Sequence, residues 1–369
     1  MRIAQVAPLT ESVPPQAYGG TERVVSYLTE ALVRLGHDVT LYASGDSVTS
    51  AELQACSARA LRLDPDIADR PRAHREAHER MMRRVLSDSA SYDVIHFHLG
   101  WFEFPLFSRC ATPCLATMHG RMDYAPVQER VRAYSGFPLV SISDAQRLPT
   151  PEVNWVSTIY HGLPDTLAVA DMGKRDYLAF LGRISPEKRP DLAIEIAQRA
   201  GWPLKIAAKV DPVDQAYFEA KIRPLLTLPG VEFIGELGEA DKMRFLARAH
   251  ALLFPIDWPE PFGMVMIEAM ACGTPTIAFC RGSVPEVIDH GVTGLVVANT
   301  AEAVEAVARV GTLDRQRIRG VFRRRFSATR MATDHVRLYE ALIARRHLRR
   351  AGARMGLDGG EARRERERA

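Results

Sequence analysis

The chain has 369 residues, 47% of them hydrophobic and 25% charged, with a formal net charge of +3. That length exceeds a comfortable single core and favours two domains of ordinary globular composition. The charge is local: Arg345 to Ala369 carries nine Arg against four acids, a balance of +5, which leaves −2 for the rest and excludes a basic nucleic-acid-binding body.

Met1-Arg-Ile-Ala-Gln-Val-Ala-Pro8 reads as a strand, Ile3 to Ala7, cut by a proline, and not as a signal peptide. A Pro-containing loop leads to Tyr18-Gly19-Gly20. Val24, Val25, Leu28, Ala31, Leu32 and Leu35 then recur at helical spacing until Gly36. A Gly pair between first strand and first helix lets backbone N–H groups approach an anion or a sugar, though it can equally be a plain turn. The full G-x-G-x-x-G is missing, which counts against a dehydrogenase. His37 to Ala43 is a second strand, and 51–86 is expected to be mostly helical and charged.

Tyr92 to His98 forms the next strand, with Leu99-Gly100-Trp101 at its carboxyl end. Cys114 to Met118 follows, ending in His119-Gly120. Ligands in open parallel sheets sit at the carboxyl ends of strands, so His98, Trp101 and His119 lie where chemistry is expected. His96 and His98 share a side, being two apart. A metal is not expected there, since no carboxylate is spaced with these histidines. Five Cys form no dense framework, and Cys110 and Cys114 lack the second pair of a zinc site, so reduced thiols in a cytoplasm fit best. Leu139 to Ser143 and Trp155 to Tyr160 complete the first half, and His161-Gly162-Leu163-Pro164 is the exit loop.

The second half begins with a strand, Tyr177 to Leu181, then Gly182-Arg183-Ile-Ser-Pro-Glu187-Lys188-Arg189-Pro190. Arg183 and Lys188 can converge on one diphosphate. A cation in a first helical turn opposes the helix dipole, so Lys188 is either a ligand or a plain surface lysine. Strands follow at Leu204 to Ala207, Val231 to Gly235 and Leu252 to Pro255. After Pro259 and Pro261, the apolar segment Met264 to Cys272 has the composition of a buried helix, opened by Gly263 and stopped by Gly273 and Pro275. Glu268 stands among Met266, Ile267, Ala269 and Met270, where a carboxylate needs a partner. A ribose diol would satisfy it, and so would a core Arg. Strands at Thr276 to Phe279 and Leu295 to Val297 precede the last helices, and no apolar run reaches the ~18 residues of a membrane span.

Glu260 to Glu268 reproduces an E-x7-E element. With Glu-Pro-Phe-Gly before it and Glu-Ala-Met-Ala-Cys-Gly-Thr-Pro at its end, the stretch closely resembles the retaining GT-B enzymes of glycosyltransferase family 4. Gly19-Gly20, His119-Gly120, Gly182-Arg183, Glu187-Lys188 and Phe233-Ile-Gly235 appear in family order, so the resemblance spans Met1 to about Leu342. It implies an α/β fold of two Rossmann-like, doubly wound domains facing across a cleft. Residues 1–165 would bind the acceptor and 166–326 the nucleotide-sugar. Residues 327–345 would be a helix closing back on the first domain, and 346–369 a basic, disordered tail.

By the same resemblance His119, Glu260, Arg183 and Lys188 are catalytic. Gly19, Gly20, Gly235, Phe262, Gly263, Met264 and Glu268 bind the donor, and His98 and Trp101 are acceptor-side candidates. The implied reaction moves a sugar from a nucleoside-diphosphate sugar to a hydroxyl of a sugar, lipid-linked or small-molecule acceptor, with retention, no metal and no cofactor. Membrane contact is at most peripheral, through the basic tail. Another GT-B enzyme (an epimerase or a phosphorylase) and a non-catalytic nucleotide-sugar-binding protein are the alternatives. Two departures stand out: Arg281-Gly-Ser replaces a common Gly-Gly pair, and His161-Gly replaces Asn-Gly.

Overall fold

The computed structural model describes residues 1–366 apart from 17, 18, 66, 68, 69 and 168–172, and side chains as far as residue 348. Tyr18 of the glycine loop lies outside the described residues, as do residues 367–369 of the expected disordered tail and the side chains of 349–369. Strands β1 Arg2–Val6, β2 Asp38–Ser44, β3 Glu52–Ser57, β4 Val94–Phe97, β5 Cys114–Thr117, β6 Leu139–Ser141 and β7 Trp155–Thr158 form one sheet, ordered 3-2-1-4-5-6-7. A second sheet, ordered 10-9-8-11-12-13, contains β8 Leu178–Arg183, β9 Leu204–Lys209, β10 Val231–Gly235, β11 Ala251–Phe254, β12 Thr276–Phe279 and β13 Gly294–Val297. Every pairing is parallel. Strands buried on both faces need helices on both sides, and the chain supplies them.

Each sheet reverses its winding at one place, between β1 and β4 and between β8 and β11. Crevices at the carboxyl ends of strands open at such switch points. Arg183 ends β8, and the segments that leave the other three strands carry Gly19-Gly20, His98 and Glu260. The topology alone therefore gathers residues that are far apart in sequence.

The helix Gly20–Arg34 buries Val24, Val25, Leu28, Ala31 and Leu32 on one face, which is why it lies on the first sheet. The helix Met264–Ala271 buries Met266 to Ala271 all round, so it is an internal element of the second half. Gly263 at φ +76° and Gly273 at φ +70° bracket it, in the left-handed region that side chains disfavour.

Two expectations change. The stretch expected to be helical from residue 51 opens with β3, and helix runs only over Arg70–Asp88. As a half-buried edge strand, Glu-Leu-Gln-Ala-Cys-Ser carries little apolar alternation to announce itself. The closing helix runs Ala328–Arg366, beyond the expected end at residue 345. It starts where the chain recrosses its own exit loop: Leu163 N–H donates to Phe326 O at 2.9 Å, and Ala328 N–H to Leu163 O at 2.8 Å. A Cβ on Gly162 would sit 2.3 Å from Ser327 O, so this crossing tolerates only glycine. The helix then places Tyr339, 0% exposed, against β1 and β4 of the first half.

Candidate active site

A cleft cavity of ≈ 430 Å³ is lined from one half by Gly19, Gly20, Arg23, His119 and His161, and from the other by Arg183, Lys188, Lys209, Glu260, Phe262, Gly263, Met264 and Glu268. Of the residues expected at the donor, only Gly235 is not on its wall. The φ of +85° at Gly235 ends β10 and turns Glu236 and Leu237 into the lining instead. The two loop glycines serve differently. A Cβ on Gly19 would press on Pro15 at 2.7 Å, whereas one on Gly20 would meet nothing within 4 Å among the described residues. Gly19 is thus a packing requirement, and Gly20 keeps backbone open.

At one end Arg183, the last residue of β8, is surrounded by carboxylates: Glu187 at 3.3 Å, Asp214 at 3.4 Å and Asp211 at 3.9 Å. They hold the guanidinium in place. Lys188 pairs with Glu260, and its ammonium lies 5.1 Å from the Trp258 ring and 5.6 Å from Phe254. Arg189, next in the chain, takes a left-handed φ of +52°, which for a non-glycine residue stores strain. Asp191 at 2.8 Å and Asp257 at 3.4 Å hold it, and the Asp257 N–H bond to Glu187 O at 2.9 Å ties the two loops together.

Glu260 is 8% exposed and also accepts from Trp258 Nε1 at 3.0 Å. Glu268 is 5% exposed, and its Oε1 accepts from Lys242 Nζ at 2.5 Å. The carboxylate in the apolar helix therefore has a partner already. It is a lysine from the helix Glu239–Ala247, not a core arginine.

Two glutamates of the second half cross the cleft. Glu239 accepts from Arg23 at 2.7 Å and from the Tyr27 hydroxyl. Glu286 accepts the backbone N–H groups of Asp144 and Ala145, both at 2.7 Å. Each contact spends a carboxylate on a donor of the other half, so they tie the two halves together across the cleft.

A second cavity, ≈ 520 Å³, adjoins the first through Gly19, Gly20, Thr21 and His119 and lies against the first sheet. Trp101, Glu11, Glu22, Arg62 and Arg121 line it. Its cations lie against carboxylates, Arg62 to Glu11 at 2.6 Å and Arg121 to Asp123 at 2.7 Å. His98 borders it but is 3% exposed, with its ring nitrogens bonded to His119 and Gln5. The acceptor role expected of His98 therefore gives way to an internal one, because neither nitrogen is available to a substrate. Among the described residues no three His, Cys, Asp or Glu side chains are grouped to hold a metal.

The Glycosyltransferase Family 4 model matches residues 18–186, and that of Glycosyl transferases group 1 matches residues 169–319, so the two together run through both halves. The chain belongs to family 4 of the GT-B glycosyltransferases. Among its relatives, alpha-maltose-1-phosphate synthase of Mycolicibacterium smegmatis is 26% identical, over 82% of this chain and 87% of that one. AviGT4, a glycosyltransferase of avilamycin A biosynthesis, has the same fold with a TM-score of 0.73 at 24% identity, covering 93% and 98% of the two chains. HepE of Anabaena, in complex with UDP-glucose, gives 0.69 at 16%, covering 92% and 100%.

Several residues of this glycosyltransferase are silent in its sequence. Lys242, Glu239 and Glu286 look like ordinary surface charges, since their partners lie 26 or more residues away. His161 could have been read from its departure from Asn-Gly: its ring stacks on His119 at 5.2 Å and meets the Phe262 edge at 4.9 Å.

The buried histidines are expected to make the fold acid-sensitive. Burial depresses His119 to about 3 and His335 to about 4 from an ordinary 6.5, and holds His96, His98 and His161 well below it. Below pH 6.5 the unfolded chain takes up protons that the folded chain refuses. Stability is therefore full above 6.5 and falls with pH down to the folded values, by about 1.4 kcal/mol per pH unit for each such group. Urea midpoints at pH 8 and pH 5.5 should differ by more than 1 M; equal midpoints would contradict it.

Proposed function

We propose that this glycosyltransferase transfers a sugar from a nucleoside-diphosphate sugar to an acceptor hydroxyl, with retention of anomeric configuration and without a metal ion. The observation that carries this is the meeting of two cations, Arg183 and Lys188, and two carboxylates, Glu260 and Glu268, on the wall of one cleft cavity. A diphosphate fits the two cations, a ribose diol fits Glu268, and the sugar lies toward Glu260, the backbone at Phe262 to Met264, and His119. The complex of HepE with UDP-glucose supports a donor of this class. Residues 166–326 are read as the donor half and 1–165 as the acceptor half.

Leaving-group departure makes the anomeric carbon positive and the diphosphate more negative. Arg183 and Lys188 are fixed before the reaction and stabilise that charge as it develops. Glu260 is held by Lys188 and Trp258, which engages its carboxylate. The acceptor proton then passes to the departing phosphate on the face where attack occurs, and that gives retention. The acceptor lies in the second cavity on Trp101. With its cations already set against carboxylates, that lining suits a neutral polyhydroxy compound better than a phosphorylated one. A cytoplasmic location is part of the proposal; no helix of the described residues is long and apolar enough to cross a membrane.

Transfer assays in a chelator, with the product anomer read by proton NMR, test the mechanism. Undiminished turnover and a retained anomer are expected. Loss of activity restored by manganese, or an inverted product, would sink it.

A further inference from the structure

Thr117, His96, Tyr339, Gln5, His98 and His119 are hydrogen-bonded in that order through the first half, and the first five are 3% exposed or less. Burial keeps the three imidazoles neutral, so each has one N–H and one bare nitrogen. Gln5 Oε1 lies 2.8 Å from His98 Nε2 and can only accept, so that nitrogen carries the proton. His98 Nδ1 is then bare, and it lies 2.9 Å from His119 Nε2. His119 must donate from Nε2, which leaves its Nδ1 without a proton.

The direction of the other half of the chain follows from the same Gln5 amide. Gln5 Nε2 donates to the Tyr339 oxygen at 3.1 Å, Tyr339 donates to His96 Nδ1 at 2.7 Å, and His96 Nε2 donates to Thr117 Oγ1 at 2.7 Å. No link opposes another. His119 Nδ1, at the open end, is buried and has no hydrogen-bond partner among the described residues, while the ring lines both cavities.

We infer that His98, held by Gln5, is a positioning residue that fixes His119 as a hydrogen-bond acceptor, so that the site selects donor sugars presenting a hydroxyl to His119 over those presenting a fluorine, an ether or a carboxylate oxygen. The inference rests on the reading that His119 meets the donor sugar. A hydroxyl donates to the bare nitrogen. A group without hydrogen faces it lone pair to lone pair and leaves both buried and unsatisfied. The Gln5 amide is the pivot, since turning it end for end reverses every donor and offers an N–H instead. Tyr339 ties that pivot to the helix returning from the second half.

Nitrogen-15 NMR of histidine-labelled, unliganded full chain reads the tautomer directly. A proton on His119 Nε2 is expected, and one on Nδ1 overturns the inference. Calorimetry then compares UDP, UDP-glucose and the monodeoxyfluoro UDP-glucoses, or the GDP or ADP series if the protein prefers it. One fluorine position should cost about tenfold in affinity, the scale of one buried hydrogen bond. His98→Phe should remove that discrimination and weaken the hexose donor about five- to tenfold, with nucleoside diphosphate affinity unchanged. His98→Gln keeps a carbonyl for His119 and an amide for Gln5, and should restore both. Equal behaviour of the two variants, or no sensitive fluorine position, overturns the positioning role. Failure of every nucleoside diphosphate to bind would instead defeat the donor reading, and the tautomer result would still judge the chain. That result needs no variant, so unfolding of His98→Phe leaves the inference refutable.

Discussion

Lys188→Ala lowers the transfer rate by about a hundredfold to a thousandfold, the cost of removing one preorganised charge from a developing anion. The effect belongs in kcat, because the diphosphate gains most of its negative charge after the bond to the sugar begins to break. The same change leaves Glu260 at 8% exposure with only the Trp258 indole at 3.0 Å. Breaking a buried pair on one side costs about 3–5 kcal/mol, so this variant also melts earlier. The two losses separate in a double variant. Lys188→Met with Glu260→Gln removes both charges, and it should regain stability while the rate stays low. Recovery of rate along with stability would show that Lys188 matters only as a structural partner.

Glu268→Gln weakens nucleotide binding by about 1–3 kcal/mol if the carboxylate holds the ribose, the scale of a charged hydrogen bond lost in a buried site. A carboxylate satisfied by a ribose alone would be poorly paired without a ligand, and its removal would leave the fold intact. The Lys242 contact at 2.5 Å changes that expectation. The lysine loses a partner, and with its side chain 14% exposed it reaches water only in part, so a moderate loss of melting temperature accompanies the loss of affinity. Glu268→Gln combined with Lys242→Met should restore the melting temperature and leave the nucleotide weakly bound. Nucleotide affinity that survives Glu268→Gln unchanged would confine Glu268 to the ion pair.

Most of the fold was legible because its signals are local. Thirteen strands are present among the described residues, and twelve announce themselves as short, largely apolar runs, most of them ended by Gly, Pro or His; β3 escapes because an edge strand buries too little to need alternation. The helix Met264–Ala271 was readable from the glycines that open and close it, and the reading of Glu260 and Glu268 followed from its position. What stayed hidden depends on the sheets meeting. Tyr339 reaches Gln5 across 334 residues and Glu239 reaches Arg23 across 216, and no period in the sequence encodes either. His98 shows both sides: its strand-end placement was right, while its role follows from neighbours on β1 and the loop after β5.

The central claim is that the cleft holds a nucleoside-diphosphate sugar, and calorimetric titration of the full chain with UDP-, GDP- and ADP-glucose tests it most directly. One base series should bind at one site per chain, and its affinity should fall in Glu268→Gln and in Arg183→Ala. A chain that binds none of the three, or binds one equally well after both substitutions, would contradict the account.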